Sequence, residues 1–324
     1  MSEEKLLNTF PRVSVVMAVY NEPIEWMCQA IDSILNQTFT NFEFIIVNDN
    51  PYRVANKKIL KDYSAKDSRI VAVSNEENIG LTKSLNIGLD LAKGEFIARM
   101  DADDISKPER LEKQVSLMEK NRFVGICGTA IELFGTKNDI IFYPEDNNSV
   151  FLFLDSCFAH PTVMMRRSVA SLRYDENCRC AQDYELWCRA FALGVRFCNL
   201  QIPLLYYRCS DQQISSSRRR EQGVIAQKIR RKAYDDFSKK RNLGVSMTGL
   251  TLTLDNILLL YEKTDLPHKE KSMFLYYLLL SNQSSVISVL LFVCKHNKLY
   301  RHLPIINLMR VLYHTMKGSD IRKY

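Results

Sequence analysis

The sequence lacks the short motifs that mark several common classes of enzyme and binding protein. Its nine cysteines include no Cys-x-x-Cys pair and follow no regular spacing, which argues against a zinc site and against a disulfide framework. We therefore expect reduced cysteines packed as small apolar side chains in a cytoplasmic protein. The sequence also contains no GxGxxG and no GxxxxGK[ST], so the usual dinucleotide and P-loop fingerprints are absent.

Long hydrophobic runs are also missing. Residues 1–5 are polar, and we expect the first apolar run, from Val13, to be a strand rather than the core of a signal peptide. The apolar segment 274–294 is interrupted by the polar residues 281–285, and each half is too short to span a bilayer. The expectation is a cytoplasmic protein that is soluble or peripherally attached to the inner face of the plasma membrane.

The charge of the chain is modest and unevenly placed. The 324 residues carry a net charge of +7, and residues 218–241 contain ten Lys or Arg against three acidic residues. Such a run is most simply a solvated helix face. The alternative is an anionic membrane surface as partner. Nucleic acid is not expected, because no recognition module accompanies the charge.

Strand and helix patterns alternate through the first third of the chain. Apolar runs that predict strands lie at residues 13–20, 42–47, 70–73 and 96–100, and helical periodicity fills the intervals. This alternation predicts βαβ units, a mostly parallel sheet and right-handed crossovers. Further strands are predicted at 124–128, 131–134 and 140–143, and a helix opens near Gln182.

Three carboxylates follow the fourth predicted strand. Asp101 and Asp103 share one face of an extended chain, and the end of a strand is where open α/β sheets bind ligands. Two such oxygen ligands suit Mg²⁺ or Mn²⁺. A simpler interpretation is that Asp104 or Ser106 caps a helix starting near Pro108, and we prefer it for those two residues.

Other polar residues are predicted at the same edge of the sheet. Asp49 follows the second strand, and the turn at Asn78 precedes a helix whose first residues include Lys83. A helix start of this kind can bind phosphate, although it is also an ordinary turn. Asp183 falls in the first turn of a later helix, where it is either a cap or a general base.

Several separate stretches together resemble the family 2 glycosyltransferases, which have the GT-A fold. The matching stretches are residues 15–22, 34–39, 42–49, 78–81, 92–104 and 182–187, and they occur in the order typical of the family. The resemblance implies a GT-A domain over residues 1–215, with a nucleotide-binding half at about 11–105 and an acceptor half at about 106–215. It leaves residues 216–324 as a helical C-terminal extension.

The resemblance also implies roles for individual residues. It assigns nucleotide-sugar binding to Ala18, Tyr20, Glu22, Asp49 and Asn78. Asp101 and Asp103 would bind ribose and a divalent metal, Mn²⁺ or Mg²⁺, and Asp183 would deprotonate the acceptor hydroxyl. For Lys83 and Arg99 the implied contact is phosphate or sugar, and the simpler alternative is an ordinary surface salt bridge.

The implied reaction is inverting transfer of a hexose or N-acetylhexosamine from a UDP-sugar. The acceptor would be a glycan or an undecaprenyl-diphosphate-linked glycan of cell-surface polysaccharide synthesis. Whether the C-terminal helices form a homodimer or contact lipid is left open. A sugar-nucleotide pyrophosphorylase is the second enzyme class, but residues 13–25 contain none of the glycines its phosphate loop needs.

Two positions depart from the family pattern. Gln182 stands where Glu is usual before the base, and Ser210 stands where many relatives have a metal-binding His. His160 is the nearest candidate imidazole, and we expect a structural or acceptor-side role for it rather than metal binding. These departures favour the other alternative, a degenerate, non-catalytic scaffold of a polysaccharide assembly complex, whereas the retained aspartates oppose it.

Overall fold

The computed structural model describes residues 10–145, 156–178, 180–210 and 219–240, together with Asn256, Leu259, Tyr261, Glu262 and Leu275. The strands are β1 Val13–Val19, β2 Phe42–Asn48, β3 Ile70–Ser74, β4 Phe96–Asp101, β5 Ile105–Ser106, β6 Val124–Gly135, β7 Asp139–Ile141, β8 Met164–Arg166 and β9 Arg196–Cys209. The α-helices are α1 Ile24–Leu35, α2 Val54–Lys66, α3 Leu81–Leu91, α4 Arg110–Lys120, α5 Arg167–Ala170, α6 Gln182–Ala192 and α7 Arg219–Lys240. A 3₁₀ turn covers His160–Thr162.

The described strands form one nine-stranded sheet with flanking helices. Its order is β3-β2-β1-β4-β8-β6-β9-β5, and β7 pairs with β6 outside this path. Strands β3, β2, β1 and β4 are parallel, whereas β8 runs antiparallel to both β4 and β6. The predicted α/β class is confirmed. The described sheet is mixed rather than mostly parallel, because β5, β7 and β8 pair antiparallel with their neighbours.

The core lies between the parallel strands and the helices that cover them. β1 and β2 are buried along almost their whole length, as expected for strands covered on both faces. Helix α1 turns one apolar face toward them, and its buried residues recur with helical spacing at Met27, Ala30, Ile31 and Ile34. This packing fixes the carboxyl ends of β1, β2 and β4 along one edge of the sheet.

The structure corrects several details of the acceptor half. The two strands predicted at 124–128 and 131–134 are one strand, β6, and the long strand β9 was not predicted at all. Asp104 and Ser106 are not helix caps, because α4 begins only at Arg110 and no side chain caps it. Ser106 instead accepts a hydrogen bond from the side chain of Gln37, at 3.1 Å.

The chain divides into two compact units. One comprises Met1–Asn147 and Cys157–Ala226, and the other comprises Asn148–Ser156 and Gln227–Tyr324. The predicted domain boundary at residue 215 lies outside the described residues and stays a prediction. Of the predicted C-terminal helical extension, the structure describes α7 and the five single positions. Among the described residues, no helix combines the length and the apolar character needed to cross a membrane.

Candidate active site

Three carboxylates converge in the turn between β4 and β5. Oxygen atoms of Asp101, Asp103 and Asp104 all lie within 4.8 Å of one another. Asp101 and Asp103 are half-buried, whereas Asp104 is completely buried. The predicted pair is therefore a cluster of three, and the signal for its third member was the run of carboxylates itself.

Asp104 places a carboxyl group in the interior. Its Oδ1 accepts a hydrogen bond from the backbone N–H of Arg208, at 2.8 Å, and its Oδ2 has no hydrogen-bond partner among the described residues. Burial raises the pKa of Asp104 well above its usual range, and the neighbouring Asp103 and Asp101 add to the shift. A buried carboxylate with a vacant oxygen is a suitable partner for a cation.

Arg208, near the end of β9, holds this turn in place. Its Nε donates to the backbone oxygen of Asp103 at 2.6 Å, and its Nη2 donates to Gln29 of α1 at 2.6 Å. The guanidinium lies between the rings of Trp26 and Phe134, at 4.6 and 4.5 Å. The sequence analysis did not single out Arg208, because no local pattern reveals a contact with a turn about a hundred residues away.

Arg99 and Arg110 place two guanidinium groups beneath the acidic turn. Arg99 is buried and forms an ion pair with Asp101. The salt bridge of the simpler alternative is therefore present, but its guanidinium is buried rather than at the surface. Arg110 is fully buried and donates to the backbone oxygen of Arg99 at 3.1 Å and to that of Pro161. Burial, with the nearby Arg99, lowers the pKa of Arg110 to about 9. These cations balance part of the negative charge above them.

Asp49 organises the turn that precedes α3. Its two carboxylate oxygens accept hydrogen bonds from the side chains of Asn75 and Asn78 at 2.8 and 3.0 Å, and from the backbone N–H groups of Ile79 and Gly80 at 2.9 Å each. Gly80 has φ +88°, a left-handed conformation that suits glycine. Asp49 and Asn78 were both predicted at this edge of the sheet, and they are in contact. Lys83 is exposed in the first turn of α3.

The end of β1 places further predicted residues beside the acidic turn. Ala18 is in register with Val47 on one side and with Asp101 on the other. Tyr20 is 42% exposed, and its backbone N–H donates to Glu22 at 2.7 Å. Burial raises the pKa of Glu22, and the charge of Asp101 contributes in the same direction.

Asp183 reaches the same region from the acceptor half. It lies in the first turn of α6 and is half-buried. Burial is the main cause that raises the pKa of Asp183, and Asp101 adds to it, whereas backbone N–H groups of Tyr184 and Asp183 oppose it. The preceding residue, Ala181, has φ +57°, a conformation that side-chain-bearing residues adopt at a cost of about 1 kcal/mol or more. Such local strain is typical of functional sites.

His160 and Tyr174 form a hydrogen-bonded pair next to these aspartates. The imidazole Nε2 lies 2.8 Å from the hydroxyl of Tyr174. Burial and the nearby Arg99 lower the pKa of His160 well below its usual value, so the imidazole is neutral. Burial, with Asp183 and Asp101, raises the pKa of Tyr174. Among the described residues the acidic cluster contains carboxylates only.

Comparison with known proteins identifies relatives of this chain. A sequence profile of glycosyl transferase family 2 matches residues 14–172. The uncharacterized glycosyltransferase MJ1057 of Methanocaldococcus jannaschii is 38% identical over 223 residues, which cover 67% of this chain and 77% of the relative. The O-antigen biosynthesis glycosyltransferase WbnJ of Escherichia coli is 36% identical over 221 residues, covering 65% of this chain and 85% of WbnJ.

The fold is shared with a protein of known structure. The crystal structure of S. aureus TarS 1-349 in complex with UDP-GlcNAc superposes with a TM-score of 0.57 and 17% sequence identity. The match covers 96% of this chain and 93% of that one. With the relatives above, these findings show that the chain belongs to glycosyl transferase family 2 and is a glycosyltransferase.

Proposed function

We propose that this family 2 glycosyltransferase moves a hexose or N-acetylhexosamine from a UDP-sugar to a glycan or an undecaprenyl-diphosphate-linked glycan, with inversion at the anomeric carbon. The observation that carries the proposal is that Asp183, from the acceptor half, lies near enough to Asp101 of the acidic turn for the two carboxyl groups to interact electrostatically. The name of WbnJ supports a place in cell-surface polysaccharide synthesis, and the UDP-GlcNAc complex of TarS supports a UDP-sugar donor.

A divalent cation fits the acidic turn on physical grounds. Three carboxylates within 4.8 Å repel one another, and the buried Asp104 Oδ2 has no partner among the described residues. In the proposal Asp101 and Asp103 hold Mn²⁺ or Mg²⁺. When bound, the ion supplies positive charge that stabilises the nucleoside diphosphate leaving group.

Asp183 acts as the general base in this proposal. Its carboxylate takes the proton of the acceptor hydroxyl while that oxygen forms a bond to the anomeric carbon. The bond from the anomeric carbon to the diphosphate oxygen breaks at the opposite face, and its electron pair leaves with UDP. The raised pKa of Asp183 makes it a stronger base than an ordinary aspartate, and its partial exposure gives an acceptor access.

The donor nucleotide would lie along the carboxyl ends of β1, β2 and β4. Ala18, Tyr20 and Glu22 line this edge beside Asp101. Asp49 holds Asn78 in the turn that opens α3, where Lys83 offers a cation for phosphate. Arg99, paired with Asp101, contributes positive charge from beneath.

The wider setting is also part of the proposal. A lipid-linked acceptor would be met at the inner face of the plasma membrane. The basic residues of α7, among which Lys228, Lys232 and Lys239 are exposed, provide charge for an anionic leaflet. Co-sedimentation of the full chain with vesicles of anionic lipid, lost at high salt, tests this attachment, and light scattering tests a homodimer.

The experiment that tests the donor and the cation measures UDP release from a panel of UDP-sugars. Each reaction is run with Mn²⁺, with Mg²⁺ and with EDTA, for the wild-type chain and for Asp103→Ala. We expect turnover of one donor with metal, and loss of that turnover with EDTA and in Asp103→Ala. Calorimetry of UDP binding with Mn²⁺ accompanies the assay.

Two outcomes would contradict parts of the proposal. Full turnover in EDTA would exclude a divalent cation as a requirement. If the wild-type chain neither releases UDP nor binds UDP-sugars or UDP, the non-catalytic scaffold is the better account. UDP binding without turnover would be followed by adding lipid-linked glycan acceptors to the same assay.

A further inference from the structure

Asn86 joins the nucleotide-binding half to the segment that leads to α6, the helix that carries Asp183. It is buried on α3, and its Oδ1 accepts the backbone N–H of Tyr174 at 3.0 Å. Its Nδ2 donates to the backbone oxygen of the same residue at 3.0 Å and to Glu176 at 3.0 Å. The side chain thus satisfies both backbone groups of Tyr174, as a neighbouring strand would.

The same segment is fastened to α6 from its other side. Arg189 donates to the backbone oxygens of Leu172 and Arg173 at 2.7 and 2.6 Å. Its guanidinium also forms a bidentate pair with Glu185, at 2.7 and 2.8 Å. Glu185 is two residues beyond Asp183, so a short series of hydrogen bonds runs from α3 through residues 172–176 to the first turns of α6.

The position of Tyr174 matters because its side chain contacts His160. Its hydroxyl meets His160 at 2.8 Å, and its ring contacts the imidazole edge to face. Asp101 and Asp183 both act on it electrostatically. A displacement of the Tyr174 backbone would therefore disturb the contact with His160 together with the start of α6.

We propose that Asn86 is a positioning residue for sugar transfer, which sets the place of Asp183 relative to Asp101 by fixing the backbone of Tyr174. The inference rests on the proposed role of Asp183 as base. Asn86 does not itself touch the reacting groups. It acts through the segment 172–176 and α6, and general-base catalysis requires geometry correct to a fraction of an ångström.

The test compares Asn86→Ala with Asn86→Asp. Alanine removes the three hydrogen bonds, whereas aspartate keeps an acceptor for the Tyr174 N–H but places a carboxylate against Glu176 and the Tyr174 oxygen. Three quantities are measured: kcat and KM with the UDP-sugar that the wild-type chain uses fastest, the Kd of UDP with Mn²⁺ by calorimetry, and amide hydrogen exchange of the peptide covering residues 172–182.

We expect kcat to fall by about 10- to 100-fold, while KM for the donor and the Kd of UDP stay within about twofold and the 172–182 peptide exchanges faster. Thr82→Val removes only the 3.3 Å hydrogen bond to the backbone oxygen of Cys178. It should also lower kcat and speed exchange of the 172–182 peptide, but by less than the Asn86 variants. It keeps the test available if the Asn86 variants fail to fold.

Asn199→Ala is the matched control. This buried asparagine also donates to two backbone oxygens, those of Pro144 and Cys157 at 2.7 and 3.0 Å. It should lower the melting temperature without the selective loss of kcat.

An equal kcat loss in Asn199→Ala, a parallel loss of UDP affinity in the Asn86 variants, or unchanged exchange of residues 172–182 would overturn the inference. If the wild-type chain neither releases UDP nor binds UDP or UDP-sugars, the proposed function fails. Faster exchange of residues 172–182 in the Asn86 variants would then still show that Asn86 fixes this segment.

Discussion

At the scale of single residues, the site is marked by charges that are buried and incompletely paired. Asp104 is buried, and its Oδ2 has no hydrogen-bond partner among the described residues. Arg110 is also buried, and its Nε and Nη2 have no hydrogen-bond partner among those residues. Arg99 is near both groups and pairs with Asp101. Charges of this kind cost stability, and functional sites are where proteins retain such costs.

Asp104→Asn should stabilise the metal-free protein. The variant keeps an oxygen for the Arg208 N–H and avoids the cost of burying an ionisable carboxyl group, so we expect the free energy of unfolding at pH 7 to rise by about 1–2 kcal/mol. The pKa of Asp104 is higher in the folded protein than in the unfolded chain. The wild-type protein therefore loses stability as the pH rises from the pKa of the unfolded chain through that of the folded protein. The advantage of the variant should therefore grow with pH across this window and then level off.

Urea denaturation in EDTA between pH 4 and pH 8 measures this difference. Asp103→Asn is the control, because Asp103 is half-buried and its removal should change stability less. A variant that is less stable than the wild type at every pH would mean that the Asp104 charge is compensated by its neighbours.

At the scale of elements, the alignment of β4 with β1 depends on a close contact between β1 and the turn that precedes β4. Gly94 donates its backbone N–H to the hydroxyl of Ser14 at 2.7 Å. A Cβ atom at this glycine would lie 2.5 Å from the backbone nitrogen of Ser14. The glycine is therefore needed for space, and the register that places Asp101 beside Ala18 starts from this contact.

Gly94→Ala should destabilise the protein by about 3 kcal/mol, because the backbone of a central strand cannot move away from the added methyl group. Gly88→Ala is the comparison. Its added Cβ would meet the side chain of Val16 at 2.4 Å rather than backbone, and alanine favours the helix by about 1 kcal/mol. Its loss should be smaller. Equal losses measured by urea denaturation would contradict this account of the Gly94 turn.

The strands also show why the sequence predicts the nucleotide-binding half better than the acceptor half. β1 to β4 are short apolar runs separated by helical patterns, so local periodicity predicts them. β9 contains Pro203 and several exposed residues, and its pairing with β6 includes irregular register shifts. Its stability comes from a partner about seventy residues away, which no local pattern records. The burial of Arg99 was missed for a similar reason, since its partners come from packing rather than from adjacent sequence.

At the scale of the whole molecule, the described part of the first unit brings the proposed donor edge and the proposed acceptor element together. The donor edge consists of the ends of β1, β2 and β4, and Asp183 arrives from a helix about eighty residues later in the chain. Sequence motifs identified the candidate residues, but only the fold shows that Asp183 and Asp101 act on each other. Asp104, Arg208 and Asn86 join the candidate residues because they hold this arrangement.

The most direct test of the central claim replaces the proposed base. Asp183→Asn keeps the size of the side chain and removes its ability to accept a proton, so turnover of the UDP-sugar should fall by about 10²- to 10⁴-fold. The Kd of UDP with Mn²⁺ should not change, and Asp139→Asn, which alters an exposed carboxylate on β7, should behave as wild type. Undiminished turnover by Asp183→Asn would contradict the account.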